Sequence, residues 1–163
     1  MPKVALVMGS KSDWQSLKGC VDVLHGMEIE VEVHVASAHR TPEKVASFAA
    51  NARENGFEVI IAAAGKAAHL GGVLAAYTTL PVIGVPMATS VMGGMDSLLS
   101  IVQMPKGIPV ATVAIDGADN AAILAAQMIA LSDEALAARL AAFKADMAAE
   151  VTAKDEKVRA QFA

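Results

Sequence analysis

Apolar positions along this chain follow two alternating rhythms. Val4-Ala5-Leu6-Val7-Met8, Val59-Ile60-Ile61-Ala62-Ala63 and Val82-Ile83-Gly84-Val85 are short, almost unbroken apolar runs, the pattern of strands covered on both faces. Glu30 to Ala36 instead alternates, with Val31, Val33 and Val35 set against Glu30, Glu32 and His34. That predicts a strand with one wet face, at a sheet edge or partly covered, and makes His34 a solvated surface histidine. Pro109 to Ile115 supplies a fifth strand.

Between these runs the apolar spacing changes to three and four, the helical period. Trp14, Leu17, Val21 and Leu24 share one face of a helix over Asp13–Met27, with Cys20 beside that face as a small core residue. Thr41 is the expected N-cap of a second helix, with Pro42 at its first position; it runs to about Asn55, where Gly56 ends it. Short helices follow over Ala67–Ala76 and Gly94–Gln103. Another is expected after a cap at Asp119-Asn120 and runs to Leu131. Ser132 is the expected cap of the last, over about 132–161, whose stripe is Leu136, Leu140, Phe143, Met147 and Val151. Two partners suit that stripe, a neighbouring subunit or its own domain; packing on a neighbouring subunit is the expectation adopted. Strand and helix alternate throughout, which predicts one α/β domain over residues 1–163 with a central parallel sheet and crossover helices.

Composition sharpens this picture. Hydrophobic residues make up 55% of the chain but aromatics only 4%, and the mean hydropathy is +0.47. So much aliphatic surface fits a doubly covered sheet together with subunit surfaces buried in a homo-oligomer. A membrane span is not expected, because the richest stretch, Val59–Pro86, is interrupted by Lys66, His69 and several glycines. Met1-Pro2-Lys3 runs directly into the first strand, so a cytoplasmic protein is expected. A single cysteine excludes an internal disulfide framework and a cysteine-rich metal site. The formal charge of −4 gives no basic footprint for nucleic acid.

Ligands of open parallel sheets bind beyond the carboxyl ends of the strands, which turns the strand map into four segments. These are Gly9-Ser10-Lys11-Ser12-Asp13, Ser37-Ala38-His39-Arg40-Thr41-Pro42, Ala64-Gly65-Lys66-Ala67-Ala68-His69 and Pro86-Met87-Ala88-Thr89-Ser90. The first leads into a helix N-terminus, where free N–H groups favour an anion. Ser10 and Ser12 can add hydroxyl donors, and Asp13 suits either ribose hydroxyls or an N-cap. Arg40 offers a planar fork for phosphate or carboxylate. His39 can gain and lose a proton near neutrality, as a general acid/base must. His69 fits best as a wall residue that shapes the pocket by hydrogen bonding. No histidine–carboxylate pair has metal-ligand spacing, and no nucleotide glycine fingerprint is present.

Taken in order, these segments resemble the PurE family, as do Ala67-Ala68-His69-Leu70, Pro81-Val82-Ile83-Gly84-Val85-Pro86, the run from Asp96 through Ser97-Leu98-Leu99-Ser100-Ile101-Val102-Gln103-Met104 to Pro105, and Gly107 to Ile115. The resemblance implies a flavodoxin-like three-layer α/β/α sandwich assembled as a homo-octamer, with sites made at subunit contacts. It further implies a purine-biosynthetic mutase that rearranges N5-carboxyaminoimidazole ribonucleotide to 4-carboxy-5-aminoimidazole ribonucleotide without metal, biotin or ATP. Carried over by position, His39 is the acid/base and Ser10, Asp13 and Arg40 bind the ribonucleotide. Ser12, Ser37 and Leu70 line the site, together with Gly65, Lys66, Ala67 and His69 of the third segment. That segment departs from the family pattern: Ala63 and Lys66 stand where glycines are usual, and Gly71 where a proline is. Lys66 motivates an alternative, a carboxylase or decarboxylase that handles carbon dioxide and aminoimidazole ribonucleotide directly. A further alternative is a ribonucleotide-binding module whose altered segment has lost the chemistry.

Overall fold

The computed structural model describes all 163 residues. Five parallel strands, β1 (Lys3–Met8), β2 (Glu30–Val35), β3 (Val59–Ala64), β4 (Val82–Pro86) and β5 (Ala111–Thr112), form one sheet in the order β2-β1-β3-β4-β5. Six helices connect and flank them: α1 (Trp14–Gly26), α2 (Pro42–Asn51), α3 (Leu70–Tyr77), α4 (Met95–Val102), α5 (Ala118–Ile129) and α6 (Glu134–Ala160). A single 3-10 turn, Lys11–Asp13, precedes α1.

The three strands with continuous apolar runs, β1, β3 and β4, lie inside the sheet, and the alternating β2 lies at its edge. On one face Val4, Leu6, Ile61 and Val85 pack against α1, α5 and Leu136 of α6. On the other, Ala5, Val7, Ile60 and Ala62 pack against α2, α3 and Ile101 of α4. This is the three-layer flavodoxin-like arrangement. Alanines 118, 121, 122, 125 and 126 are all buried along α5, which lets α5 approach α1 closely and accounts for a core with few aromatics. Close approach recurs at Gly84 of β4, where a Cβ would be driven into Ile101 and would sit 2.9 Å from Val110 Cγ1.

Several local expectations are corrected. Thr41 is the N-cap residue of α2 with Pro42 directly after it, but its hydroxyl makes no cap bond: it accepts from the Ser37 N–H at 2.9 Å and donates to the Ser37 carbonyl at 3.1 Å. The helix stops at Asn51, and residues 52–56 turn away through Gly56 at φ 83°. α3 begins at Leu70 rather than Ala67, with His69 as its N-cap residue. Asp119 and Asn120 fall inside the first turn of α5, which starts after Gly117. Asp133, not Ser132, caps α6 by accepting the Leu136 N–H at 2.9 Å. β5 has two residues instead of seven, because Pro109 lacks a ladder donor and the chain leaves the sheet toward Asp116, at φ 57°.

Cys20 sits within the α1 stripe, fully buried with Leu17 and Leu24, while Trp14 and Val21 are only partly covered. Burial and the Asp119 carboxylate push its thiol up to about 12, which makes it inert. His34 is half-covered, its ring 4.8 Å from that of Phe48. In α6, Leu136 is buried and Leu140 and Phe143 pack on the domain, but every residue from Lys144 onward is exposed.

Candidate active site

The strand order reverses between β1 and β3, since the chain runs outward to β2 before returning past β1. The segments beyond those carboxyl ends therefore diverge and leave a crevice. A cleft of about 600 Å³ occupies that place. Ser10, Ser12, Asp13, Ser37, His39, Arg40, Gly65, Lys66, Ala67, His69 and Leu70 all line it, so every residue expected at the site from the sequence is brought together there.

At its centre His39 Nε2 and His69 Nδ1 lie 2.8 Å apart, with the rings edge to face at 76°. One ring donates and the other accepts, so the bond fixes the tautomer of each relative to the other. His69, at the head of α3, is thus more than a wall: it holds the His39 ring. The segment carrying His39 is closed on itself. The Thr41 N–H donates to the Ser37 carbonyl at 2.9 Å, and the Arg40 N–H to Ser37 Oγ at 3.1 Å. Ser37 therefore shapes the turn that presents His39 and Arg40.

On the opposite wall Ser10 Oγ and Ser12 Oγ are 2.8 Å apart, and Ser10 Oγ also accepts the Ser12 N–H at 3.3 Å. Asp13 occupies the N-cap position of α1 but makes no side-chain cap bond. Its carboxylate lines the cleft and takes part in no salt bridge within the chain. Desolvation, and then the nearby Asp116 carboxylate, raise the Asp13 pKa above the usual aspartate value. None of the six salt bridges in the chain uses Arg40 or Lys66, so the cleft holds two cations without carboxylate partners. No group of three His, Cys, Asp or Glu side chains is placed to hold a metal ion.

Lys66 has φ 60°, a left-handed conformation that costs a non-glycine residue about 1–3 kcal/mol. A lysine therefore keeps the backbone shape of a glycine here. The segment after β4 completes the wall through Met87, Ala88, Thr89 and Ser90. That segment was expected at the site, but none of its side chains was singled out. Behind it stand residues that sequence reasoning missed. Asp116 Oδ1 accepts the Ala88 N–H at 2.8 Å. Asp96 Oδ1 accepts from Thr89 Oγ1 at 2.6 Å and from the Ser97 N–H at 2.9 Å, and the Thr89 bond chiefly holds its pKa below the usual range. Only the Asp-Ser pair that opens α4 offered a signal in the sequence.

Comparison with known proteins bears directly on this arrangement. A family model described as AIR carboxylase matches residues 3–150. The chain belongs to the AIR carboxylase family. Similar proteins include several named N5-carboxyaminoimidazole ribonucleotide mutase. One from Saccharolobus solfataricus is 52% identical, over 93% of this chain and 96% of that protein. One from Mycobacterium tuberculosis H37Rv is 52% identical, over 97% and 91%, and one from Haemophilus influenzae is 55% identical, over 87% and 88%. Among solved structures, Treponema denticola PurE superposes with a TM-score of 0.88 at 28% identity, covering 96% of this chain and 98% of that one.

Proposed function

We propose that this chain is an N5-carboxyaminoimidazole ribonucleotide mutase of purine biosynthesis, an isomerase that moves a carboxylate from the exocyclic nitrogen to C4 of the imidazole. The observation that carries the reading is the His39–His69 pair, 2.8 Å apart, in a cleft that also holds an unpaired arginine and a free carboxylate. In this reading Arg40 and the N–H groups at the head of α1 hold the phosphate, assisted by Ser10 and Ser12. The Asp13 carboxylate accepts from the ribose hydroxyls. Ser37 and Leu70 shape the walls, and Gly65, Lys66 and Ala67 form the floor beneath the reacting carbons.

The chemistry needs one proton, borrowed and returned. The carbamate C–N bond breaks, carbon dioxide departs, and the nitrogen takes a proton from the His39 imidazolium. C4 of the aminoimidazole then attacks the same carbon dioxide, forming a C–C bond, and its proton passes back to neutral His39. Atoms and charge balance with no co-reactant. Between the two steps the carbon dioxide must stay beside C4, which a tight floor of small residues after β3 favours. The bond from His69 keeps the His39 ring aimed for both transfers. Direct carboxylation, the alternative that Lys66 motivated, is not favoured: the relatives at 52–55% identity carry the mutase name.

The same reading makes the enzyme a cytoplasmic homo-octamer. Exposed Tyr77, Leu99, Val102 and Met92, and the uncovered second half of α6 with Met147, Val151 and Val158, supply the apolar surface such an assembly buries. The test is to supply the purified protein with the carbamate substrate, or with aminoimidazole ribonucleotide plus bicarbonate, and to follow the 4-carboxylate. Turnover from the carbamate, abolished in His39→Asn while ribonucleotide binding persists, is expected. Equal or faster turnover from carbon dioxide defeats the mutase reading, and near-wild-type activity in His39→Asn removes that residue from the acid/base role.

A further inference from the structure

Ser97, in the first turn of α4, is the one polar residue among the 43 that are buried, and its exposure is 0%. A hydroxyl placed there is unfavourable unless it makes a bond that matters. Its oxygen accepts the Lys66 N–H at 2.9 Å, and Ser100, one turn on, directs its hydroxyl at the Lys66 carbonyl at 3.2 Å and the Asp96 carbonyl at 2.7 Å. Lys66 is also the one residue of the cleft floor in a left-handed conformation, which a lysine does not hold without outside support. A bond from the Lys66 amide to a fully buried hydroxyl thus fixes an unfavourable backbone state at the point where the floor meets the helix.

We infer that Ser97, which does not itself line the cleft, is a positioning residue: through its bond to the Lys66 amide it holds Gly65–Ala67 in the shape that confines the transferred carboxyl group. Asp96 ties the same turn to Thr89 of the adjoining segment after β4, so the first turn of α4 sets the spacing between the segments after β3 and β4. The inference rests on the mutase reading for its catalytic consequence, but not for its geometry.

The two are tested apart. Hydrogen exchange on the full chain reads the geometry: in Ser97→Ala the Lys66 amide should exchange at least about tenfold faster, while strand amides stay protected. Steady-state kinetics reads the consequence. Ser97→Ala should lower kcat on the order of tenfold to a hundredfold with little change in KM, because the floor shifts and the phosphate grip does not. The same change made in a Lys66→Gly background should cost much less than in the native background, since glycine adopts the left-handed state unaided. Ser97→Cys, closer in size and still an acceptor, should recover part of the loss and serves if the alanine variant misfolds. Equal losses in both backgrounds, or unchanged amide exchange, overturn the inference. A wild-type protein with no mutase activity defeats the functional reading and leaves the exchange result to decide on Ser97.

Discussion

Gly65→Ala separates the stability of this fold from its chemistry. Gly65 has no left-handed φ that forbids a side chain. A Cβ built there would lie 3.6 Å from each of Met87 Cβ, Ser97 Oγ and Thr89 Cγ2, ordinary van der Waals contact on three sides. The fold should accept the methyl. Replacing glycine by alanine at a compatible position stabilises by about 0.4–1 kcal/mol through the unfolded chain. For a domain of this length that is a Tm unchanged or raised by up to about 4 °C. The methyl also fills space between the segments after β3 and β4, where the mutase reading places the reacting carbons. Displacing them by about 1 Å should cost on the order of a hundredfold in kcat. Gly71→Ala is the matched control: its Cβ would meet Ala62 Cβ at 3.7 Å and Val110 Cγ1 at 3.8 Å, away from the cleft. Thermal denaturation and steady-state turnover on both variants make the comparison. Wild-type kcat in Gly65→Ala, or an equal loss in Gly71→Ala, refutes the placement of the chemistry on this floor.

Other consequences follow from the same geometry. Between the ordinary aspartate value and the raised value of Asp13, the folded protein holds more protons than the unfolded chain, so this group's contribution to stability falls as pH rises through that window. Asp13→Asn should therefore have a higher Tm than wild type at pH 7, a difference that shrinks toward pH 3, with weaker ribonucleotide binding; a lower Tm at pH 7 contradicts the sign. Ending the chain after Phe143 removes only exposed residues, so the domain should lose the far-UV helical signal of the distal part of α6 but keep its cooperative thermal unfolding, and sediment as a smaller assembly. An assembly of unchanged size would free the distal half of α6 from any role in it.

Much of this fold was legible because hydrophobic periodicity reports burial. β1, β3 and β4 read as doubly covered strands and are the interior of the sheet, while the alternation in β2 allowed an edge or a partly covered strand and β2 lies at the edge. The strand-end rule then located the cleft without any contact being known, since it depends only on where parallel strands stop. What stayed hidden was the choice among equivalent local partners. Thr41, Asp119, Asn120 and Ser132 all have capping chemistry, yet Thr41 bonds back to Ser37, and Asp133 takes the place expected of Ser132. The His39–His69 bond joins residues 30 apart in sequence, and the Asp116–Ala88 bond spans 28; no spacing rule announces either. Lys66 was visible as an unusual residue, but its left-handed backbone and its buried partner Ser97 were not.

Fate of the transferred carbon is the most direct test of the account. Carbamate substrate carrying carbon-13 in its carboxyl group should be turned over in excess unlabelled bicarbonate, and the 4-carboxylate product analysed by mass spectrometry. A cleft that retains carbon dioxide between bond breaking and bond making predicts nearly complete label in the product. Label diluted to the composition of the surrounding bicarbonate would contradict it, because the carbon would then have left the site before C4 captured it.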